Sequence, residues 1–424
     1  MRIRHTLAAI LMIASGLAGT AGAQSPYPTP ALLPGTVALS PGKSVDKQSW
    51  ETFIGVVKPI AGEATFETWA TDNEIYGPPP AQPGGGIGAT DRKTGRRFNT
   101  KGLATVRALL HGGTPSPSGV IILPQLAVPC AQVAGEGTTP SATNNPGNFP
   151  VGCIAEEVRR DPKSTTYIVD HHLNSPEGLA ENFAKSEPVV FPDGAIAVKA
   201  DWIPVDNLLA WLNQNGKPAT PQMIMANYYT ATEQNVTYAL VSMHISKKTK
   251  ELPNWLWMTY EHQWNPGRCD TSGCYDEFGS TIASVASVAN ANTQYPDCAK
   301  SKELASLFSA AGLPAVWNNY CLKGSQIDYT SKPDGTGLAT IDGDSVVERV
   351  LASVPIQGSS CISCHGTAAF TGLPKPFLAG INPRVSNNVL GPYTLPANYK
   401  AYDFMWGLIN IPGTQSAPAP QFGP

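Results

Sequence analysis

Apolar residues along this chain come in short runs separated by turn-forming stretches. Ser118 to Val128 is one such run. Val189 to Val205 holds two β-type runs around the turn Pro192-Asp193-Gly194. Val236 to Ile245 and Trp255 to His262 read as a hairpin, joined by a Lys- and Pro-containing turn. Helical periodicity is scarcer. It predicts helices over Asp206 to Asn213, over Ala299 to Ala311 (closed by Gly312 and Pro314), and over Asp344 to Ser353. In the last, Val346, Val347, Val350 and Leu351 form one stripe.

The segments between are loops: residues 24 to about 48, 78 to 86, 134 to 150, and a tail over 412 to 424. Gly84-Gly85-Gly86-Ile87-Gly88 follows a proline run instead of a strand, so it is not a phosphate-binding turn. The expected fold class is α+β. A β-rich part spans residues 24–334, and a mainly helical segment spans 335–411.

Composition sharpens this picture. Asp, Glu, Lys and Arg make up only 14% of the chain, and there are 40 glycines and 39 prolines. Such a chain is rich in turns and poor in long surface helices. The N-terminus has the form of an export leader, with Arg2 and Arg4, an apolar core from Leu7 to Leu17, and the small-x-small site Ala21-Gly22-Ala23. Cleavage after Ala23 is expected, with a periplasmic or secreted destination. No later segment is apolar over the roughly 20 residues that a spanning helix needs. Removing residues 1–23 takes the net charge from −3 to −5. That mild value supplies no case for nucleic acid or for an anionic membrane.

All eight cysteines lie in the exported part. Six fall into local pairs: Cys130 with Cys153, Cys269 with Cys274, Cys298 with Cys321. Disulfides persist outside the cytoplasm, and proximity favours these pairings among the many that six cysteines allow.

The other two belong to Cys361-Ile362-Ser363-Cys364-His365. Two intervening residues let both sulfurs reach the two vinyl groups of one haem, and the next histidine turns under the iron. One covalent haem c is therefore expected, with Cys361 and Cys364 as attachment points and His365 as proximal ligand, which makes 335–411 a cytochrome-c-like haem segment. The sixth ligand sets what the haem does. Met405 is the only methionine after the motif, 40 residues beyond His365, and is the candidate.

Upstream, a hairpin turn centred near Lys250 would bring His244 and His262 to one side. With Tyr260 they are the candidates for a distal pocket. Each histidine alone is more often a hydrogen-bonded structural residue, and His171 and His172 read as structural or surface residues.

Several segments resemble a group of large bacterial cytochrome-c-family proteins with a single C-terminal CxxCH. They are Tyr167-Ile168-Val169, Phe191 to Ile196, Val198 to Trp202, Met243-His244-Ile245, Lys248-Thr249, and Trp255 to His262 with Asn265-Pro266-Gly267. Members carry a Phe where this chain has Tyr260, and Cys269 and Cys274 are extra here. The resemblance implies haem binding and names no substrate. Electron transfer, to or from a partner protein or a small molecule, is the expected function. The alternatives are a haem-dependent peroxidase or oxidase and, more weakly, a redox or gas sensor. Nucleophile elbow, P-loop and HExxH signatures are all absent.

Overall fold

The computed structural model describes residues 36–37, 41–60, 62–76, 114–115, 121–122, 155–233, 236–269, 273–280, 294–331, 337–346, 360–366, 368–372, 395 and 397–407. The leader, Cys130, Cys153 and the 412–424 tail lie outside these residues.

A nine-stranded antiparallel sheet organises the chain. Its strands are β1 (Ala70–Thr71), β2 (Thr114–Pro115), β3 (Ile121–Ile122), β4 (Ala155–Arg160), β5 (Ile196–Pro204), β6 (Thr230–Glu233), β7 (Val236–Lys247), β8 (Leu256–His262) and β9 (Tyr320–Gln326). The order is β9-β8-β7-β5-β4-β3-β2, with β1 beside β4 and β6 beside β7. Mixed helix and antiparallel sheet is the expected class. Among the described residues no helix is long and apolar enough to cross a membrane.

Helix starts follow local chemistry. Asp161-Pro162, Ser175-Pro176 and Thr220-Pro221 each place a capping side chain before a proline at the first turn. Their side chains accept from Ser164, Gly178 and Met223 N–H groups, which have no partner inside the helix. The Val205–Gln214 and Lys302–Ala311 helices occur where the periodicity predicts them, and Gly312 closes the second at φ 64°.

The two sheet faces are chemically different. On one, Val198, Ala200 and Trp202 of β5, Met243 and Ile245 of β7, and Met258 and Tyr260 of β8 meet Trp50 and Phe53 of the Lys43–Val57 helix. The other face carries Lys199, Asp201, Ser242, His244, Thr259 and Glu261 over its middle, by strand alternation. Ala197, Trp255 and Trp257 continue it into a second core with Ile75, Leu173, Ile362, Phe370, Tyr402 and Met405. The motif segment thus packs into the β-rich part.

One expectation is corrected, and two others fall largely outside the described residues. Only one strand, β5, forms between Val189 and Val205, because Gly194 (φ 80°) turns the chain and its N–H bonds Lys248 O. Asp344 to Val346 form a bend in which Asp344 Oδ1 accepts from Val346 N, and residues 347–353 lie outside the described residues. The described part of 335–411 contains one five-residue helix, Cys361–His365, beside the short strands Gly337–Thr340, Ala369–Phe370 and Lys400–Ala401.

Candidate functional site

The motif forms a single helical turn. Ser360 caps it, accepting from Ser363 N. Gln326 Oε1 at the end of β9 takes the Ile362 N–H at 3.0 Å, and Tyr329 Oη donates to Ile362 O at 3.0 Å. Trp406 Nε1 donates to Cys364 O at 3.2 Å. Glycine follows the histidine for a spatial reason. A Cβ on Gly366 would stand 2.3 Å from Tyr329 Oη. Neither Cys361 nor Cys364 is in a disulfide; Cys361 is half-buried and Cys364 exposed. The sulfur of Cys361 lies 3.4 Å from Asp342 O.

The imidazole of His365 is fixed at one edge. Its Nδ1 lies 2.8 Å from Phe404 O, and its ring centroid is 4.5 Å from that of Trp257. A carbonyl only accepts, so Nδ1 carries the proton and Nε2 keeps its lone pair. Nε2 makes no hydrogen bond among the described residues. Burial lowers the His365 pKa to about 4, and Lys199, Arg160 and His244 push in the same direction. The ring is neutral at pH 7, as a metal ligand must be.

The Phe404 carbonyl is itself held. Asp403 and Phe404 both have left-handed backbone (φ 45° and 67°), which non-glycine residues adopt only where neighbours enforce it. Asp403 Oδ1 accepts from Lys248 Nζ (2.7 Å) and Trp255 Nε1 (3.3 Å), and Oδ2 from Phe191 N (2.7 Å). Burial raises the Asp403 pKa, and the Lys248 hydrogen bond and charge oppose it.

Met405 is buried, and its sulfur lies 3.6 Å from Arg160 Nη1. Arg160 is paired with Asp72 at 2.6 and 2.9 Å.

The three upstream candidates separate. His244 pairs with Thr259 across β7 and β8. The paired numbers sum to an odd value, so even positions on β7 share a face with odd positions on β8. His244 and His262 therefore point to opposite faces. A turn centred on Lys250 has the other parity, and a shift of one residue flips every side chain. A bulge adds to the difference: Leu240 pairs with Trp202 and Ser242 with Asp201, so Leu240 and Ser242 do not share a face.

Tyr260 and His262 lie on the face away from the motif. Tyr260 packs on Trp50 and Phe53 at 5.1 and 4.4 Å, and burial raises its pKa well above the usual value. His262 stacks on Tyr228 at 3.4 Å, donates from Nε2 to Asn227 O and accepts at Nδ1 from Trp264 N. Burial holds it neutral. His171 and His172 follow the Pro162–Asp170 helix, both exposed.

His244 alone of the three faces the motif side. Its Nε2 lies 2.9 Å from Asp344 Oδ2 and 3.7 Å from Asp201 Oδ2, and its Nδ1 3.1 Å from Thr259 Oγ1. Asp201 and Asp344 are fully buried. Sequence reasoning passed over Asp201, Asp344, Asp403 and Phe404. The one local sign was Asp342-Gly343-Asp344, an acidic pair in an otherwise apolar stretch.

Two of the expected disulfides form, Cys269–Cys274 and Cys298–Cys321. Cys269, Cys274 and Cys298 lie between β8 and β9, and Cys321 lies in β9.

No protein-family model matches the chain, and neither a curated protein nor a solved structure matches it.

Proposed function

We propose that this chain is an exported c-type cytochrome that carries one covalent haem and transfers electrons in the periplasm. The observation that carries the reading is the CxxCH turn. Both thiols stand outside disulfides, and His365 is held neutral with Nδ1 bonded to Phe404 O. The residues fit the group: Cys361 and Cys364 would take the thioether bonds and His365 the iron.

A haem held there supplies a one-electron iron couple. The chain's own residues orient and shield it. Phe404 O fixes the tautomer and rotation of His365 and makes Nε2 more basic. Trp257 packs on one side of the imidazole. Cys364 is at the surface, the side from which a redox protein or small donor or acceptor can approach. The cytochrome-c likeness lies in this ligation, while the walls come from the β-rich part.

Met405 is the sequence candidate for the sixth position. Here Met405 is buried in the second core, and its sulfur lies 3.6 Å from Arg160 Nη1. We therefore read Met405 as a packing partner of Arg160 in this arrangement.

A second reading, a haem-dependent peroxidase or oxidase, has one observation in its favour: His244, hydrogen-bonded to Asp344, on the motif's face of the sheet.

Haem staining after denaturing electrophoresis tests the main reading, using protein matured in a host that attaches haem c. The stain should persist in the wild type and vanish in Cys361→Ala/Cys364→Ala. N-terminal sequencing of exported protein should begin at Gln24. An unstained wild type removes the proposal. Rapid carbon monoxide binding by the reduced wild type, with peroxide turnover, moves the assignment to the second reading.

A further inference from the structure

We propose that Asp201, His244 and Asp344 form a second metal site, one that holds a first-row divalent cation beside the haem motif. The three side chains come from β5, β7 and the bend after the Gly337–Thr340 strand. One nitrogen and two carboxylate oxygens, one from each, lie within 4.8 Å of one another. Ligands bound at 2.0–2.2 Å around one tetrahedral ion stand about 3.3–3.6 Å apart. His244 Nε2 already has its two oxygens at 2.9 and 3.7 Å. The adjustment needed is small.

A second observation points the same way. Asp342 is 3% exposed, and neither of its carboxylate oxygens has a hydrogen-bond partner. The Thr259 hydroxyl is the donor that faces it, and Lys323, Asp344 and Asp46 are its charged neighbours. Burying such a carboxylate unpaired is costly. The reason lies in the direction of the Thr259 hydroxyl. With the imidazole proton on Nε2, pointing to Asp344, Nδ1 is an acceptor and Thr259 must donate to it. The Thr259 hydroxyl is then turned away from Asp342.

A cation on Nε2 reverses this chain. Metal takes the place of the Nε2 proton, and the imidazole proton moves to Nδ1. Nδ1 then donates to Thr259 Oγ1, and the Thr259 hydroxyl turns to donate to Asp342. Proton count is unchanged in this tautomer shift. The orphaned carboxylate gains its donor, and the ligand histidine gains the outer-shell support usual at metal sites. The ion also offsets the charge of two fully buried carboxylates. Ser242 already steadies one of them, donating to Asp201 Oδ2 at 2.8 Å. One imidazole with two carboxylates suits Mn²⁺, Fe²⁺ or Zn²⁺ better than Ca²⁺ or Mg²⁺, whose ligands are oxygens. The main-chain oxygen of Asp342 touches the Cys361 sulfur, so the site abuts the haem attachment point.

The test uses the full haem-loaded chain, stripped with a chelator and titrated with Zn²⁺ and with Mn²⁺ by calorimetry. One equivalent should bind. Asp344→Asn and Asp201→Asn, each checked for an unchanged far-ultraviolet spectrum and haem band, should weaken binding by more than about 100-fold, the upper end for losing even an outer-shell partner. Thr259→Val, which removes no ligand, should weaken it by about 10–100-fold. A zinc-edge anomalous peak between the three side chains in wild-type crystals gives the same answer without a variant. Absence of 1:1 binding, unchanged binding in Asp344→Asn, or an anomalous peak elsewhere overturns the proposal. In the first case a proton alone joins His244 to its carboxylates.

Discussion

Phe404 O and His365 Nδ1 are 2.8 Å apart, so the motif histidine is oriented by backbone 39 residues further along the chain. The carbonyl keeps its place because Asp403 gathers donors from Phe191, Lys248 and Trp255. These contacts join the end of the described chain to the strap before β5 and the turn before β8.

Asp403→Ala should therefore act in two ways. It leaves the Lys248 ammonium, whose side chain is 11% exposed, without its carboxylate. Breaking such a buried pair costs about 3–5 kcal/mol, read as a lower midpoint in urea. It also loosens the hold on His365, so the reduction potential of the haem-loaded protein should shift. Asp403→Asn keeps acceptor capacity at one oxygen and should shift the potential less. A large stability loss with an unmoved potential would show that Asp403 supports the core without orienting His365.

Met405→Ala separates packing from ligation. Met405 fills the second core against Arg160, so truncation should cost about 2–5 kcal/mol. Ferric and ferrous spectra, potential and carbon monoxide binding should match the wild type. Loss of a methionine-ligated spectrum, with newly gained carbon monoxide binding, would restore Met405 to the iron. His244→Ala is the companion variant. It removes the one candidate histidine on the motif's side, and it should change ligand binding more than Met405→Ala does.

Two helices and the CxxCH motif were legible in the sequence because their causes are local. Val205–Gln214 and Lys302–Ala311 follow helical periodicity, and Gly312 closes the second. The helix starts at Asp161-Pro162, Ser175-Pro176 and Thr220-Pro221 went unread, although each cap is local. The hairpin was legible as a hairpin, yet its parity was not. That parity is set by how the 248–255 connection is held, through Gly194 N to Lys248 O and Lys248 to Asp403, contacts distant in sequence. The bulge at Val241 is hidden for a related reason. Val241 and Leu240 are both buried, one in a helical flank and one in the main core, so alternation breaks without a polar residue to mark it. Asp201, Asp344 and Asp403 were illegible because their roles exist only once four separate segments meet.

The two described disulfides should differ in worth. Cys298–Cys321 closes a sequence separation of 23 and Cys269–Cys274 one of 5. On loop-closure entropy these lengths correspond to roughly 3 and roughly 2 kcal/mol. Cys298→Ser/Cys321→Ser should lower the urea midpoint more than Cys269→Ser/Cys274→Ser. An equal or reversed order would mean that the longer bridge is offset by structure in the unfolded chain.

Stability should pass through a minimum near pH 7 because of two groups of opposite kind, the buried Asp46 and the half-buried Lys300. Burial raises Asp46 from 3.8 to about 7, with Asp276 and Glu277 adding to the shift against hydrogen bonds from Glu277 N and Ser325. The folded state then binds a proton that the unfolded state releases. The resulting stabilisation is complete below pH 3.8 and is lost as pH rises through 7. For the fully buried Asp46 it amounts to at most on the order of 4 kcal/mol. Burial lowers Lys300 from 10.5 to about 7, against the attraction of Asp276. Here the unfolded state binds the extra proton, so stability is regained as pH rises from 7 toward 10.5. Asp46→Asn, which keeps an acceptor for Glu277 N, should flatten the limb between pH 4 and 7 and exceed the wild type at pH 8. Lys300→Met should flatten the limb above 7 and leave the lower one in place. Urea midpoints across pH 4 to 10 for the three proteins measure both slopes. A wild-type curve that rises from pH 4 to 7, with the same slope in Asp46→Asn, would assign the acid-side titration to groups other than Asp46.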